Sequence, residues 1–348
     1  MLAAMSLAEM ISLVAHRVAF VAERDVRLHG QTLVSPGSTL SLQSVGCAVL
    51  IGAAIIALRR RPGKPWPRWR VWLRALFPRR LFRSTSTRAD FGFFLLNTVA
   101  GGGGVAVAIL AASQVAIWTQ RGLTHALGAS PQLVLPGPAT SVIATAALFL
   151  AYEIAYWIDH YISHKVPFFW AFHKPHHTAE VLTPLTNFRV HPIESLKFGN
   201  IAAIIVGGAG GAVAWLFGGA EHQVLINETN LLTVIFLFTV QHLQHTHFWI
   251  ATTGVWGRIL VSPAHHQIHH SDNPAHFNRN FGSCLAVWDW LAGTLYVPAA
   301  RRERLHFGVG ATIDRPQSIT GTLITPFVEA IQSVRPRPPH AGVTIAAE

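Results

Sequence analysis

Residues Ala139–Lys165 read ATSVIATAALFLAYEIAYWIDHYISHK, and this stretch decides the architecture. Ala139 to Ile158 is about one bilayer long, since a hydrocarbon layer of about 30 Å takes roughly 20 helical residues. His160 and His164 follow at i, i+4 spacing, which stacks them on one helix face as the chain leaves the membrane. Nine residues further on come His173, His176 and His177, an HxxHH pattern whose members again share a face, and a second HxxHH follows as His266, His269 and His270. Neutral imidazole is a good ligand for iron, zinc or copper, and two such rings one turn apart grip one ion. Thirteen of the 20 histidines fall in the two windows His160–His177 and His242–His276, so the concentration is a feature to be explained.

The rest of the 348-residue chain fits a membrane protein, with 51% hydrophobic and 12% charged residues and a mean hydropathy of +0.36. Further apolar runs are Leu42 to Leu58, Phe91 to Trp118, Phe198 to Phe217 and Val224 to Val240, the last broken early by Asn227, Glu228 and Asn230. The expectation is an all-α integral membrane bundle of four to five transmembrane helices, with a cytoplasmic helical cap carrying the histidine boxes. Gly101 to Gly104, inside the second run, suit close helix packing in lipid.

Between Arg59 and Arg88 there are eleven Lys or Arg and no acid, whereas the connection Thr119 to Pro138 has only Arg121. The positive-inside rule makes the first loop cytoplasmic. Alternation then brings Asp159 and Gln241, and with them all three histidine boxes, to the same face. The basic loop, with Trp66, Trp69 and Trp72, is explained by anchoring on anionic lipid, so the net charge of +11 does not argue for nucleic acid. Two cysteines, Cys47 and Cys284, form no metal or disulfide framework. Leu2 to Ala22 reads as an amphipathic surface helix rather than a signal sequence, because Glu9, His16 and Arg17 interrupt it. The domain expectation is therefore an N-terminal region 1–90, a membrane-embedded catalytic domain 91–298, and a partly disordered C-terminal tail 299–348. The NET sequon at Asn227 lies too close to the bilayer to carry meaning.

The order HxxxH, HxxHH, HxxHH resembles the fatty acid hydroxylase and sterol desaturase superfamily of membrane, histidine-ligated non-haem di-iron oxygenases. The runs Phe169 to His177, Arg189 to Glu194 (RVHPIE), Ser262 to Ser271 (SPAHHQIHHS) and Asn280 to Thr294 (NFGSCLAVWDWLAGT) are similar to it in order and spacing, over about Thr140 to Tyr296. The resemblance implies two iron ions held by His160, His164, His173, His176, His177, His266, His269 and His270. It also implies one histidine after a later span, best matched by His245, with His242 and His247 as alternatives. Glu153, seven residues before His160, matches an acidic family position and is expected to accept a ligand's ring N–H; Asp159, His191 and Asp272 are the other candidates for that outer layer. Tyr161 stands where the family often has Arg.

The implied activity is O2-dependent hydroxylation or desaturation of an unactivated C–H bond in a membrane lipid, such as a sterol, a fatty acyl chain or an ether lipid. Electrons must come from a separate donor of ferredoxin, rubredoxin or cytochrome b5 type, since the chain has neither a dinucleotide GxGxxG in a strand-turn-helix setting nor an HPGG of a fused cytochrome. The expected location is a bacterial inner membrane with the site facing the cytoplasm, the alternative being the endoplasmic reticulum. The rival reading is a zinc transporter or metal sensor, which calls for polar residues within several spans.

Overall fold

The computed structural model describes residues 34–35, 41–60, 63, 65–102, 109–219, 223–226, 228–309 and 317–335. The expected helix at Leu2–Ala22, Asn227 and, in the tail, residues 310–316 and 336–348 lie outside these residues. The chain is mostly helical, and the only ladder among the described residues pairs Leu225–Ile226 with Thr229–Asn230. In chain order the main helices are α1 (Leu42–Leu58), α2 (Trp69–Leu76), α3 (Thr85–Gly102), α4 (Ala112–Leu127) and α5 (Gly137–Lys165). They continue with α6 (Pro167–His177), α7 (Pro192–Phe217), α8 (Leu231–Gln244), α9 (Pro263–His269), α10 (Val287–Ala292) and α11 (Ile319–Val334).

Two of these helices, α5 with 29 residues and α7 with 26, are long and apolar enough to cross a membrane. Among the described residues this supports two of the four to five spans expected. Helix α8 runs only from Leu231 to Gln244, about 21 Å at 1.5 Å per residue, which falls short of the hydrocarbon thickness. The run Phe91 to Trp118 is not one helix, since residues 109–111 are not helical and α4 begins at Ala112.

Close helix packing through glycine occurs on α7. Gly207 and Gly211, four apart on α7, face α4 so closely that a Cβ would lie 2.5 Å from the Ala112 carbonyl oxygen and 2.3 Å from that of Ala116. Gly211→Val is therefore expected to lower the unfolding midpoint in detergent by an overpacking cost of about 1–3 kcal/mol, while Gly208→Ala, which meets nothing within 4 Å, leaves it unchanged.

Local sequence signals set the ends of the helices that carry the histidines. Proline disfavours helix in the residue before it, so Val166 is extended (φ −101°, ψ 114°) and Pro167 opens α6. Helix α7 starts at Pro192 behind a His191 cap and stops at Gly218, which takes the left-handed conformation at φ 72°. Helix α8 contains one wide turn, Leu237–Gln241, with i→i+5 bonding just ahead of His242 and His245.

The C-terminal region is helical over Ile319–Val334. Helix α11 lies on α6 through Ala330, against Ala171 and Phe172, and through a Lys174–Glu329 ion pair of 2.5 Å.

Behind α6 sits a fully buried ion pair. Arg189 donates from Nε to Asp90 Oδ1 (2.6 Å), from Nη1 to Thr178 Oγ1 (2.7 Å), and from Nη2 to the Ser86 carbonyl (2.7 Å) and Gln317 Oε1 (2.9 Å). This one side chain joins α3, the end of α6 and the entrance to α11.

Candidate metal centre

The three boxes and His245 converge at one end of the bundle. Their imidazoles form two groups, His160, His164, His173, His177 and His269 in the first, and His176, His245, His266 and His270 in the second. Within each group the ligand nitrogens lie within 4.8 Å of one another. The two HxxHH boxes contribute in opposite senses. In α6 the i, i+4 pair His173 and His177 serves the first group and His176 the second, while around α9 His266 and His270 serve the second and His269 the first. On a 3.6-residue helix the i+3 position is rotated about 100° from i+4, so two facing helices with interchanged roles build two adjacent ligand sets. The groups touch, with the His177 and His270 ring centroids 4.5 Å apart.

The donor chemistry fits metal ions. In the second group Nε2 of His245 lies 2.8 Å from that of His266, 3.0 Å from His270 and 3.3 Å from His176, and His270 and His266 are 3.1 Å apart. A neutral imidazole nitrogen carries either one proton or one lone pair, so four nitrogens satisfy at most two hydrogen bonds among themselves. The remaining contacts are repulsive without a cation, and nitrogens sharing an ion at about 2.1 Å stand at separations of about 3 Å. Burial keeps the rings neutral, pushing His173, His176 and His269 down to about 3 and holding His177, His245, His266 and His270 well below the usual histidine range. Ring nitrogens of six of the nine, among them His164 Nε2 and His269 Nε2, are buried with no partner among the described residues.

The outer layer differs from expectation. His160 Nδ1 donates to the Phe281 carbonyl (2.8 Å) and His269 Nδ1 to that of Arg279 (2.8 Å), while His173 Nδ1 donates to the Glu194 carboxylate. A carbonyl oxygen can only accept, so in His160 and His269 the proton sits on Nδ1 and Nε2 is left free to bind a metal. Among the described residues none of the four expected to orient the rings bonds a ligand ring directly. Glu153 sits two helical turns, about 10.5 Å along the axis, from His160 and accepts instead from the Cys284 (2.9 Å) and Leu285 (2.8 Å) amides. Asp159 pairs with Lys197 at 3.1 Å. His191 caps α7, accepting from the Ile193 amide, and donates to the Leu323 carbonyl. Asp272 is exposed. Glu194 is the carboxylate that sequence reasoning missed, although it lies in the RVHPIE run; its signal is an acid in the first turn of a helix that starts beside the boxes.

Of the three candidates around α8, the structure brings His245 into the centre. His242 Nε2 lies 3.0 Å from Ser44 Oγ on α1, and His247 donates to the Ala75 carbonyl (2.8 Å). A cavity of about 570 Å³ reaches His164, His177, His269 and His270 past the apolar rings of Trp170 and Phe277, with Lys174, Asp272 and Asn278 on its wall.

Comparison with known proteins agrees with this geometry. Residues 145–294 match the fatty acid hydroxylase family, which supports the likeness to the fatty acid hydroxylase and sterol desaturase superfamily. It is similar to the alkylglycerol monooxygenase of Xenopus tropicalis, with 26% identity over 46% of this chain and 32% of the relative. It is also similar to the ornithine lipid hydroxylase OlsE of Rhizobium tropici, with 26% identity over 42% and 40%, and to the Delta(7)-sterol 5(6)-desaturase erg3C of Aspergillus fumigatus, with 24% over 47% and 52%. The matches thus span about a third to a half of the length of these relatives. No solved structure matches the chain significantly.

Proposed function

We propose that this chain is an iron- and O2-dependent membrane oxidoreductase that hydroxylates or desaturates an unactivated C–H position in a membrane lipid. The observation that carries the reading is the partition of nine neutral imidazoles, all buried but the half-buried His164, into two adjoining ligand sets. Each set would hold one iron, the second through His176, His245, His266 and His270. Iron bound there supplies activation of O2 and cleavage of a C–H bond, chemistry that no side chain performs.

The chain does the rest. Its rings hold charge-neutral donors at fixed separations, Glu194 sets the orientation of His173, and burial keeps bulk water from the reacting volume. The cavity beside His164, His177, His269 and His270 would take a substrate carbon to within reach of both sets. Whether an alcohol or an alkene leaves depends on which hydrogens that cavity presents.

The named activities of the relatives, on an alkylglycerol, an ornithine lipid and a sterol, support an amphiphilic lipid as substrate. Electrons would arrive from a separate ferredoxin, rubredoxin or cytochrome b5. The basic segment Arg59 to Arg88 supports a location in a bacterial inner membrane, or else in the endoplasmic reticulum, with the site on the cytoplasmic side.

Anaerobically purified protein is expected to contain iron and to consume O2 when given reductant and lipid. Cells carrying the intact chain are expected to accumulate a lipid heavier by one oxygen atom or lighter by two hydrogens. Zinc flux in proteoliposomes without O2 uptake would instead establish the transporter.

A further inference from the structure

His160 and His269 come from different helices, yet both rings are held by one short loop, through the carbonyls of Phe281 and Arg279. The loop is irregular. Asn280 adopts a positive φ of 58°, and a Cβ on Gly282 would lie 2.4 Å from the Leu285 carbonyl oxygen. Its shape is fixed from behind by two fully buried carboxylates, Glu153 on the amides of Cys284 and Leu285, and Asp289 on those of Phe281 (3.0 Å) and Gly282 (2.7 Å).

Asp289 also accepts from the Trp157 indole (3.1 Å) and the Thr294 hydroxyl (2.5 Å), so four donors converge on one carboxylate. Phe281 is gripped at both ends, its N–H by Asp289 and its carbonyl by the His160 ring. The second histidine group has no such support. Nδ1 of His176, His245, His266 and His270 has no partner among the described residues.

Resting on the two-ion reading above, we propose that Asp289 is a positioning residue that sets the ion affinity of the five-histidine group selectively, by fixing the carbonyls that orient His160 and His269. Partners behind metal-bound histidines typically control affinity by 10–100-fold; here Asp289 holds the Phe281–Gly282 peptide behind His160 directly, and the Arg279–Asn280 peptide behind His269 through Thr294, whose hydroxyl it accepts and whose carbonyl takes the Asn280 amide. Asp289→Asn is the matching test, because it keeps the volume but turns an NH2 toward groups that are all donors.

The experiment titrates Co(II) into the metal-stripped full-length chain and its variants, following the absorption of the bound ion. Wild type is expected to take up one ion per histidine group. Asp289→Asn is expected to keep one site at wild-type affinity and weaken the other by about 10–100-fold. His176→Ala, in the other group, should remove the complementary site, and Asp289→Asn combined with His176→Ala should retain no tight site. Unchanged affinities in Asp289→Asn, or both sites weakened equally, overturn the proposal. Should Asp289→Asn not accumulate, Thr294→Val removes only one hydroxyl donor and is expected to give a smaller shift confined to the same site; no shift there overturns it too. A wild-type chain that binds no Co(II) rejects the two-ion reading itself, whereas two wild-type sites with an unaltered Asp289→Asn titration reject only the role of Asp289.

Discussion

His176→Ala is expected to abolish turnover, by on the order of 10³-fold or more, and to halve the iron bound per chain. The second group has four donors, and its Nε2 atoms stand about 3 Å apart in mutual contact, so removing one leaves three rings with no means of closing the set. The several kcal/mol that a catalytic ion contributes to the transition state would go with it. The five rings of the first group do not include His176 and should keep their ion. His125→Ala, at the exposed end of α4, is the control and should retain wild-type iron and O2 uptake. Elemental analysis beside oxygen-electrode rates reads both quantities. Equal iron in the two variants would refute the ligand assignment.

This expectation is sharper than the sequence alone allows. The boxes are legible because i, i+3 and i+4 spacing is a local property of helices, and the ring positions follow once α6 and α9 form. Which histidine serves which ion is not legible, because it depends on how two helices about 90 residues apart in the sequence face one another. Glu153 illustrates the same limit. Its helical phase relative to His160 was readable, but not its height along the axis relative to the 280–285 loop, which is a matter of packing between distant segments. The carboxylate that does meet a ring, Glu194, is 21 residues from His173 and reaches it only because α7 begins where α6 ends. Mean apolarity does not reveal where a run is interrupted, so Phe91 to Trp118 looks continuous although residues 109–111 are not helical and α4 begins only at Ala112.

The buried ion pair was invisible for the same cause, since Asp90 and Arg189 are 99 residues apart. Arg189→Ala is expected to destabilise the protein by about 3–5 kcal/mol, because Asp90 would remain enclosed with only Thr183 and Thr186 as donors. The loss should also reach the metal centre. Arg189 Nη1 holds Thr178, the residue directly after His177, and Nη2 holds Ser86, whose hydroxyl accepts from the Glu180 amide. Iron affinity should therefore fall along with the unfolding midpoint. Replacing both partners, Asp90→Leu with Arg189→Met, removes the uncompensated charge as well as the pair, and should recover most of the midpoint. It should not recover the iron affinity, because Thr178 and Ser86 stay untethered. Thermal unfolding in detergent with parallel iron analysis separates the two effects. A double variant that regains stability and iron together would mean that the pair serves the fold alone, and a single variant with an unchanged midpoint would remove Arg189 from both roles.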